Sequence, residues 1–235
     1  MAVLSFFAGL ILGSFFNVVI YRLPRGLSIV KPGSACTHCG HRLTAAELIP
    51  LFSFARQRGK CRVCGGRISW RYPVVELLTG LGCALVAGTS SDWAEFVVGV
   101  SFFSFLLVLA LIDLEHQVLP NKLTVLGLGC GLLFSLFGWT LPFPRSLLGA
   151  LVGFGLVFVI VVISRGGMGM GDAKLLALIG AFLGWKAVFY VLFWASVLGA
   201  LGGLLYLYIT KQDRKTPIPF GPSLAAAAMV LYFFL

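Results

Sequence analysis

Long stretches of this sequence carry no charged side chain, and a water-soluble globule is not built that way. Met1–Tyr21, Phe96–Ile112, Leu123–Pro144, Ser146–Ser164 and Ala187–Thr210 run without Asp, Glu, Lys or Arg. Leu77–Ser91 is another such run, extended back to Tyr72 across Glu76; Leu175–Trp185 is a short one, and Thr216–Leu235 is the eighth. A bilayer core takes about 20 helical residues per crossing. The pattern therefore predicts an all-α polytopic membrane bundle of about eight transmembrane helices. Composition agrees: 59% of residues are hydrophobic and 11% charged, where a soluble domain carries roughly 25% charged residues. A cytosolic enzyme, a secreted disulfide scaffold and a disordered chain are excluded.

The charges that remain are lopsided, 18 Lys and Arg against 8 Asp and Glu. Placing the N-terminus outside puts the segment Arg22–Arg71 in the cytoplasm. It also leaves only Arg145 and Lys186 of the 18 cations outside, as the positive-inside rule demands. The first run lacks a basic region ahead of it and is long enough to span, so it reads as a helix rather than a cleavable signal. Leu175–Trp185 makes only about 16 Å of helix. A re-entrant loop there would reverse Lys211, Arg214 and Lys215, so a true span starting near Asp172 is expected.

Between the first two spans lies a polar segment holding Cys36-Thr-His-Cys39 and Cys61-Arg-Val-Cys64. Each pair is followed by glycine, Gly40 and Gly65-Gly66, which allows the tight turn that aims two thiolates at one ion. Four thiolates complete a tetrahedral zinc site, with Cys36, Cys39, Cys61 and Cys64 as ligands; His38 and His41 stand by as substitutes. The alternatives are two disulfides, which a reducing cytosol opposes, and a nucleic-acid-binding ribbon. Topology and anionic lipid heads explain the basic residues better than nucleic acid does. Cys83 and Cys130 fall inside spans and read as packing residues.

Four of the eight acidic residues stand out. Asp92, Glu95, Glu47 and Asp213 are placed in water, whereas Glu76, Asp113, Glu115 and Asp172 sit at or near the membrane edge. Asp113 ends an uncharged run, and Asp172 follows Gly169-Met-Gly171 and precedes Ala-Lys174. Carboxylates in or beside the membrane are costly and usually functional. Two facing each other share a proton, so one can act as base toward a water and the other as acid toward a scissile carbonyl. Asp172 is also suited to cap a helix. Glu115 reads as interfacial, and Lys174 as a partner of either Asp or a membrane anchor.

Taken together, these residues resemble the type IV prepilin leader peptidases, membrane aspartic proteases of the Gly-x-Gly-Asp kind. The resemblance runs through Gly13-Ser-Phe-Phe-Asn-Val-Val-Ile-Tyr-Arg-Leu-Pro24, the paired Cys motifs and Arg71-Tyr-Pro-Val-Val-Glu76. It continues through Asp113 with Pro120, Gly169-Met-Gly171-Asp172-Ala-Lys174 and Thr216-Pro-Ile-Pro-Phe-Gly-Pro222. It implies cleavage of the short basic leader of prepilins or pseudopilins on the cytoplasmic face of the bacterial inner membrane. It also implies N-methylation of the new terminus, usually Phe, from S-adenosylmethionine. By motif, Asp113 and Asp172 would be the protease pair. The four Cys match the zinc loop of the bifunctional members, and Glu76 and Asn17 are candidates for the methyl-donor region. Asn121 stands where many members have Asp.

The expected organisation is a first helix at 1–23, a cytoplasmic zinc-binding loop at 24–71 and a helical bundle at 72–235, with the peptidase core at about 94–235. The expected partners are prepilin or pseudopilin substrates and membrane lipids, not nucleic acid. A peptidase without methyltransferase activity and an ion-coupled transporter with intramembrane carboxylates are the competing readings.

Overall fold

Backbone N–H and C=O groups in a bilayer find no water, and a helix satisfies them within one segment. The computed structural model describes residues 1–164, 169–210 and 219–234, and the regular structure among them is helical apart from two isolated antiparallel bridges. The helices are α1 (Ala2–Arg22), α2 (Phe52–Arg56), α3 (Arg71–Thr89), α4 (Trp93–His116), α5 (Asn121–Leu136), α6 (Phe143–Ile163), α7 (Met170–Leu183), α8 (Trp185–Thr210) and α9 (Gly221–Phe234). Leaving aside the short α2, eight helices stand where the eight uncharged runs predict them. The protein is an all-α, multi-pass membrane bundle: α1, α3, α4, α6 and α8 are long and apolar enough to cross a bilayer. Arg165, Gly167, Lys211, Asp213, Arg214, Lys215 and 216–218 lie outside the described residues.

Two boundaries differ from the hydropathy reading. The fourth run does not stay helical to Pro144, because α5 stops at Leu136. Gly138 turns with a φ of +72°, the Ser135 hydroxyl donates to the Leu141 carbonyl at 2.7 Å, and Trp139 stacks on Phe134. The sixth helix begins at Met170, close to the expected start near Asp172, but ends at Leu183 rather than Trp185 and has 14 residues. Asp172 is not its cap: Gly169 occupies that position and Asp172 sits in the first turn.

The chain divides into two compact units, Met1–Ser91 and Asp92–Leu235. In the first, α1 packs along α3. No hydrophobic gain drives two helices together in lipid, so close backbone approach must. Gly9 and Gly13 supply it: a Cβ on Gly9 would lie 2.7 Å from the Thr79 carbonyl oxygen, and one on Gly13 2.7 Å from the Glu76 Cα.

In the second unit α7 is the central helix, packed by α5, α6, α8 and α9. Its residues from Leu175 through Phe182 are all buried and present no polar face, which is how a helix inside a bundle reads. Small residues let its neighbours in: Gly149 of α6 meets the Gly180 backbone and Gly153 meets Leu176. The Ser146 hydroxyl donates to the Ala181 carbonyl at 2.6 Å, binding α6 to α7 near its C-terminal end.

Candidate active site and metal centre

Asp113 lies in the last turn of α4, where Gln117 adopts a left-handed conformation and its N–H closes on the Asp113 carbonyl at 2.8 Å. Asp172 lies in the first turn of α7. Both side chains are enclosed, Asp113 with 6% and Asp172 with 8% of its surface exposed, and they stand within Coulombic reach of each other. Leu119, just past α4, packs on Gly171, so the segment after Asp113 is pressed against the turn that carries Asp172.

Each carboxylate takes a backbone donor at a helix N-terminus. The Gly221 N–H, first in α9, donates to Asp113 Oδ2 at 2.9 Å, and the Gly169 N–H serves Asp172. Helix N-termini carry free N–H groups and partial positive charge, so they favour anions. The helix C-terminus that bears Asp113 does the opposite, and α9 offsets it. Sequence reasoning did not find Gly221; its signal is the Pro-Phe-Gly-Pro spelling that opens α9. A Cβ at Gly221 would come within 2.7 Å of Asp113 Oδ2. Gly221→Ala should therefore push the carboxylate aside. On the expectation that Asp113 acts in catalysis, a misplacement near 1 Å costs about a hundredfold in rate, so activity should fall on that order while the melting temperature changes little.

Lys174 pairs with neither aspartate. Its ammonium donates to Asn121 Oδ1 at 2.6 Å, tying the first turn of α7 to the first residue of α5. The side chain of Glu115 lies 3.9 Å from His116, and both are partly exposed at the end of α4.

The first unit holds the thiols. Each Cys pair closes a small hairpin. The Cys36 N–H donates to the His41 carbonyl and the Gly40 N–H to the Cys36 carbonyl; Cys61 bonds Gly66, and Gly65 bonds Cys61, in the same way. Gly40 and Gly65 take φ near +70°, which L-residues with a side chain resist. The four sulfurs lie within 4.8 Å of one another, and Cys36 and Cys64 are 3.9 Å apart. Tetrahedral zinc with Zn–S of about 2.3 Å needs sulfur–sulfur edges of about 3.8 Å, so the cluster fits such an ion. Backbone N–H groups of Cys39 and His38 draw the Cys36 thiol down to about 7. Cys39 receives a lowering bond from the His41 backbone, yet desolvation and the neighbouring sulfurs push it up to about 11. Crowded thiolates of this kind are what a dication relieves. His38 and His41 are outside the cluster; His41 pairs with Glu47 at 3.4 Å.

Glu76 and Asn17 are both buried where α1 meets α3. Glu76 Oε2 accepts the Leu51 N–H at 2.8 Å, and its carboxylate bonds the Ser14 side chain. The Asn17 amide donates to the carbonyls of Gly13 and Tyr72, which leaves its Oδ1 buried with no partner among the described residues. Cys83 is buried against Gly9 as a packing residue.

Two family models match. Residues 7–89 match the bacterial peptidase A24 N-terminal domain, and residues 100–204 match the type IV leader peptidase family. A protein of Pseudomonas putida is 39% identical over 94% of this chain and 86% of its own length. One of Bacillus subtilis is 38% identical over 97% and 92%, and one of Aeromonas salmonicida 37% over 97% and 88%. All three are named prepilin leader peptidase/N-methyltransferase. No solved structure matches the chain significantly. With relatives this similar along nearly the whole chain, the protein belongs to the type IV leader peptidase family.

Proposed function

We propose that Asp113 and Asp172 are the catalytic pair of this enzyme, a membrane prepilin peptidase with N-methyltransferase activity. Its substrates in this reading are type IV prepilins or pseudopilins, cut at the end of a short basic leader on the cytoplasmic side of the bacterial inner membrane. The supporting observation is the meeting of two enclosed carboxylates in one bundle, each with a helix N-terminal N–H donor. One carboxylate takes a proton from water as the water adds to the scissile carbonyl. The other protonates that oxygen, and the amide nitrogen leaves with a proton as the C–N bond breaks. The Gly221 and Gly169 N–H groups hold the pair in position, and the Lys174–Asn121 bond fixes the turn beneath Asp172.

Zinc on Cys36, Cys39, Cys61 and Cys64 is structural in this reading, since four thiolates leave no open position. S-adenosylmethionine, when bound, supplies an electrophilic methyl group. It is net cationic, and the first unit offers it a buried carboxylate, Glu76, and an unpartnered buried acceptor, Asn17 Oδ1. These two residues would hold and orient the donor.

The division of labour is testable with one variant. Asp113→Asn should block both products from full-length precursor, because the amine to be methylated exists only after cleavage. Given a pre-cleaved peptide with a free N-terminal Phe, the same variant should methylate at the wild-type rate. Loss of methylation there, in folded protein that still binds the donor, would mean one shared site.

A further inference from the structure

The first unit contains a cavity of about 680 Å³ whose cationic lining has no part in the proposed chemistry. Its lining includes the cations Arg58, Lys60 and Arg67 and the apolar residues Phe54, Ile68 and Trp70. No carboxylate lines it, and none of the three cations has an ion-pair partner among the described residues. Lys60 and Arg67 face each other across an antiparallel bridge, an arrangement in which like charges repel. Arg58 is held in place by a left-handed turn, with φ of +51° at Arg58 and +69° at Gly59. Three exposed cations are thus gathered with no ion-pair partner among the described residues.

The position of the cavity narrows the occupant. Pro73, in the first turn of α3, forms part of its wall, and Trp70 caps that helix with 73% of its surface exposed. Since α3 is long and apolar enough to span, the cavity opens where this helix enters the membrane. Trp with Lys and Arg at a span end is the chemistry of the headgroup layer. Phe54 and Trp70 pack at 4.9 Å between ring centroids, giving an apolar wall beside the cations. S-adenosylmethionine, with two positive centres against one carboxylate, is repelled by such a lining, and so is a basic leader peptide.

We infer that this cavity binds the phosphate headgroup of an anionic phospholipid, with Arg58, Lys60 and Arg67 around the phosphate and Phe54, Ile68 and Trp70 against the start of its acyl chains. The inference rests on the membrane placement of α3, not on the catalytic assignment.

The test is native mass spectrometry of the full-length protein extracted in mild detergent, with phosphatidylglycerol and phosphatidylcholine added in turn. One phosphatidylglycerol should be retained per chain, and phosphatidylcholine should not replace it. Each cation near a membrane surface is worth roughly fivefold in affinity for anionic lipid, so the triple change Arg58→Gln, Lys60→Gln, Arg67→Gln should weaken retention on the order of a hundredfold. The control triple Lys31→Gln, Arg42→Gln, Arg62→Gln removes equal charge outside the cavity and should retain the lipid. Bound zinc reports whether each loop is folded, and Arg58→Lys with Arg67→Lys, which keeps the charge, should restore binding if the Gln triple proves unfolded. Equal loss in both triples would reduce the site to net charge and overturn the proposal. Undiminished retention in the cavity triple, failure of the Lys pair to bind, or displacement by millimolar inorganic phosphate alone would also overturn it.

Discussion

Asp113→Asn and Asp172→Asn should each abolish leader cleavage. General acid–base catalysis contributes about 10²–10⁴-fold per group, and groups acting as one unit lose nearly all of their effect when either is removed. Residual turnover in either variant should therefore sit at least about a thousandfold below wild type. The swap is nearly isosteric, and its effect on the fold should be small. An Asn at 113 can still accept the Gly221 N–H through its amide oxygen, so the α4–α9 connection survives. The melting temperature and the helical circular dichroism should match wild type. A variant that cleaves at the normal rate would remove its residue from the pair.

Removing zinc should unfold the loop at 24–71, α2 included, and spare the long helices on either side of it. Among residues 24–70, Cys61 alone is buried, so the loop has no hydrophobic core of its own. Structural zinc supplies roughly 10–16 kcal/mol in small thiolate domains, far more than the hairpin hydrogen bonds around Cys36 and Cys61 can replace. Chelation, or Cys36→Ser with Cys61→Ser, should erase amide-exchange protection across 36–67. Protection in α7, whose apolar residues are enclosed by four other helices, should be unchanged. Methylation should suffer more than cleavage, since Leu51, between the two Cys pairs of this loop, holds Glu76 through its N–H. Metal content below half an equivalent in folded, carefully prepared protein would count against zinc altogether.

The helical class and the Cys cluster were legible because each rests on a local rule. A run without charge has few ways to be structured in lipid, and a CxxC turn followed by glycine brings its own two sulfurs together. The facing of the two Cys pairs, 21 residues apart, followed from the ligand count of one ion. Helix ends inside apolar runs were not legible. Phe137, Gly138, Trp139 and Pro142 are as uncharged as the residues around them, so hydropathy ran past the turn that ends α5. The sequence offers Lys174 an aspartate partner or a place as a membrane anchor, because charge is all that it shows of the residue. The tertiary fold gave it Asn121 instead, 53 residues away. Gly221 escaped notice because its contribution is a backbone N–H placed by the start of another helix, 108 residues from the carboxylate it serves. Side-chain identity carries no trace of such a contact, save that only glycine fits there.

In the proposed function one chain cuts a basic leader with Asp113 and Asp172 and then methylates the exposed amine. The most direct measurement is mass spectrometry of a synthetic prepilin N-terminal segment incubated with the purified full-length enzyme, with and without S-adenosylmethionine. Loss of the leader in both reactions, with one added CH₂ only when the donor is present, is the expected result. An intact leader in both reactions, or cleavage that persists in the Asp113→Asn, Asp172→Asn double variant, would contradict it.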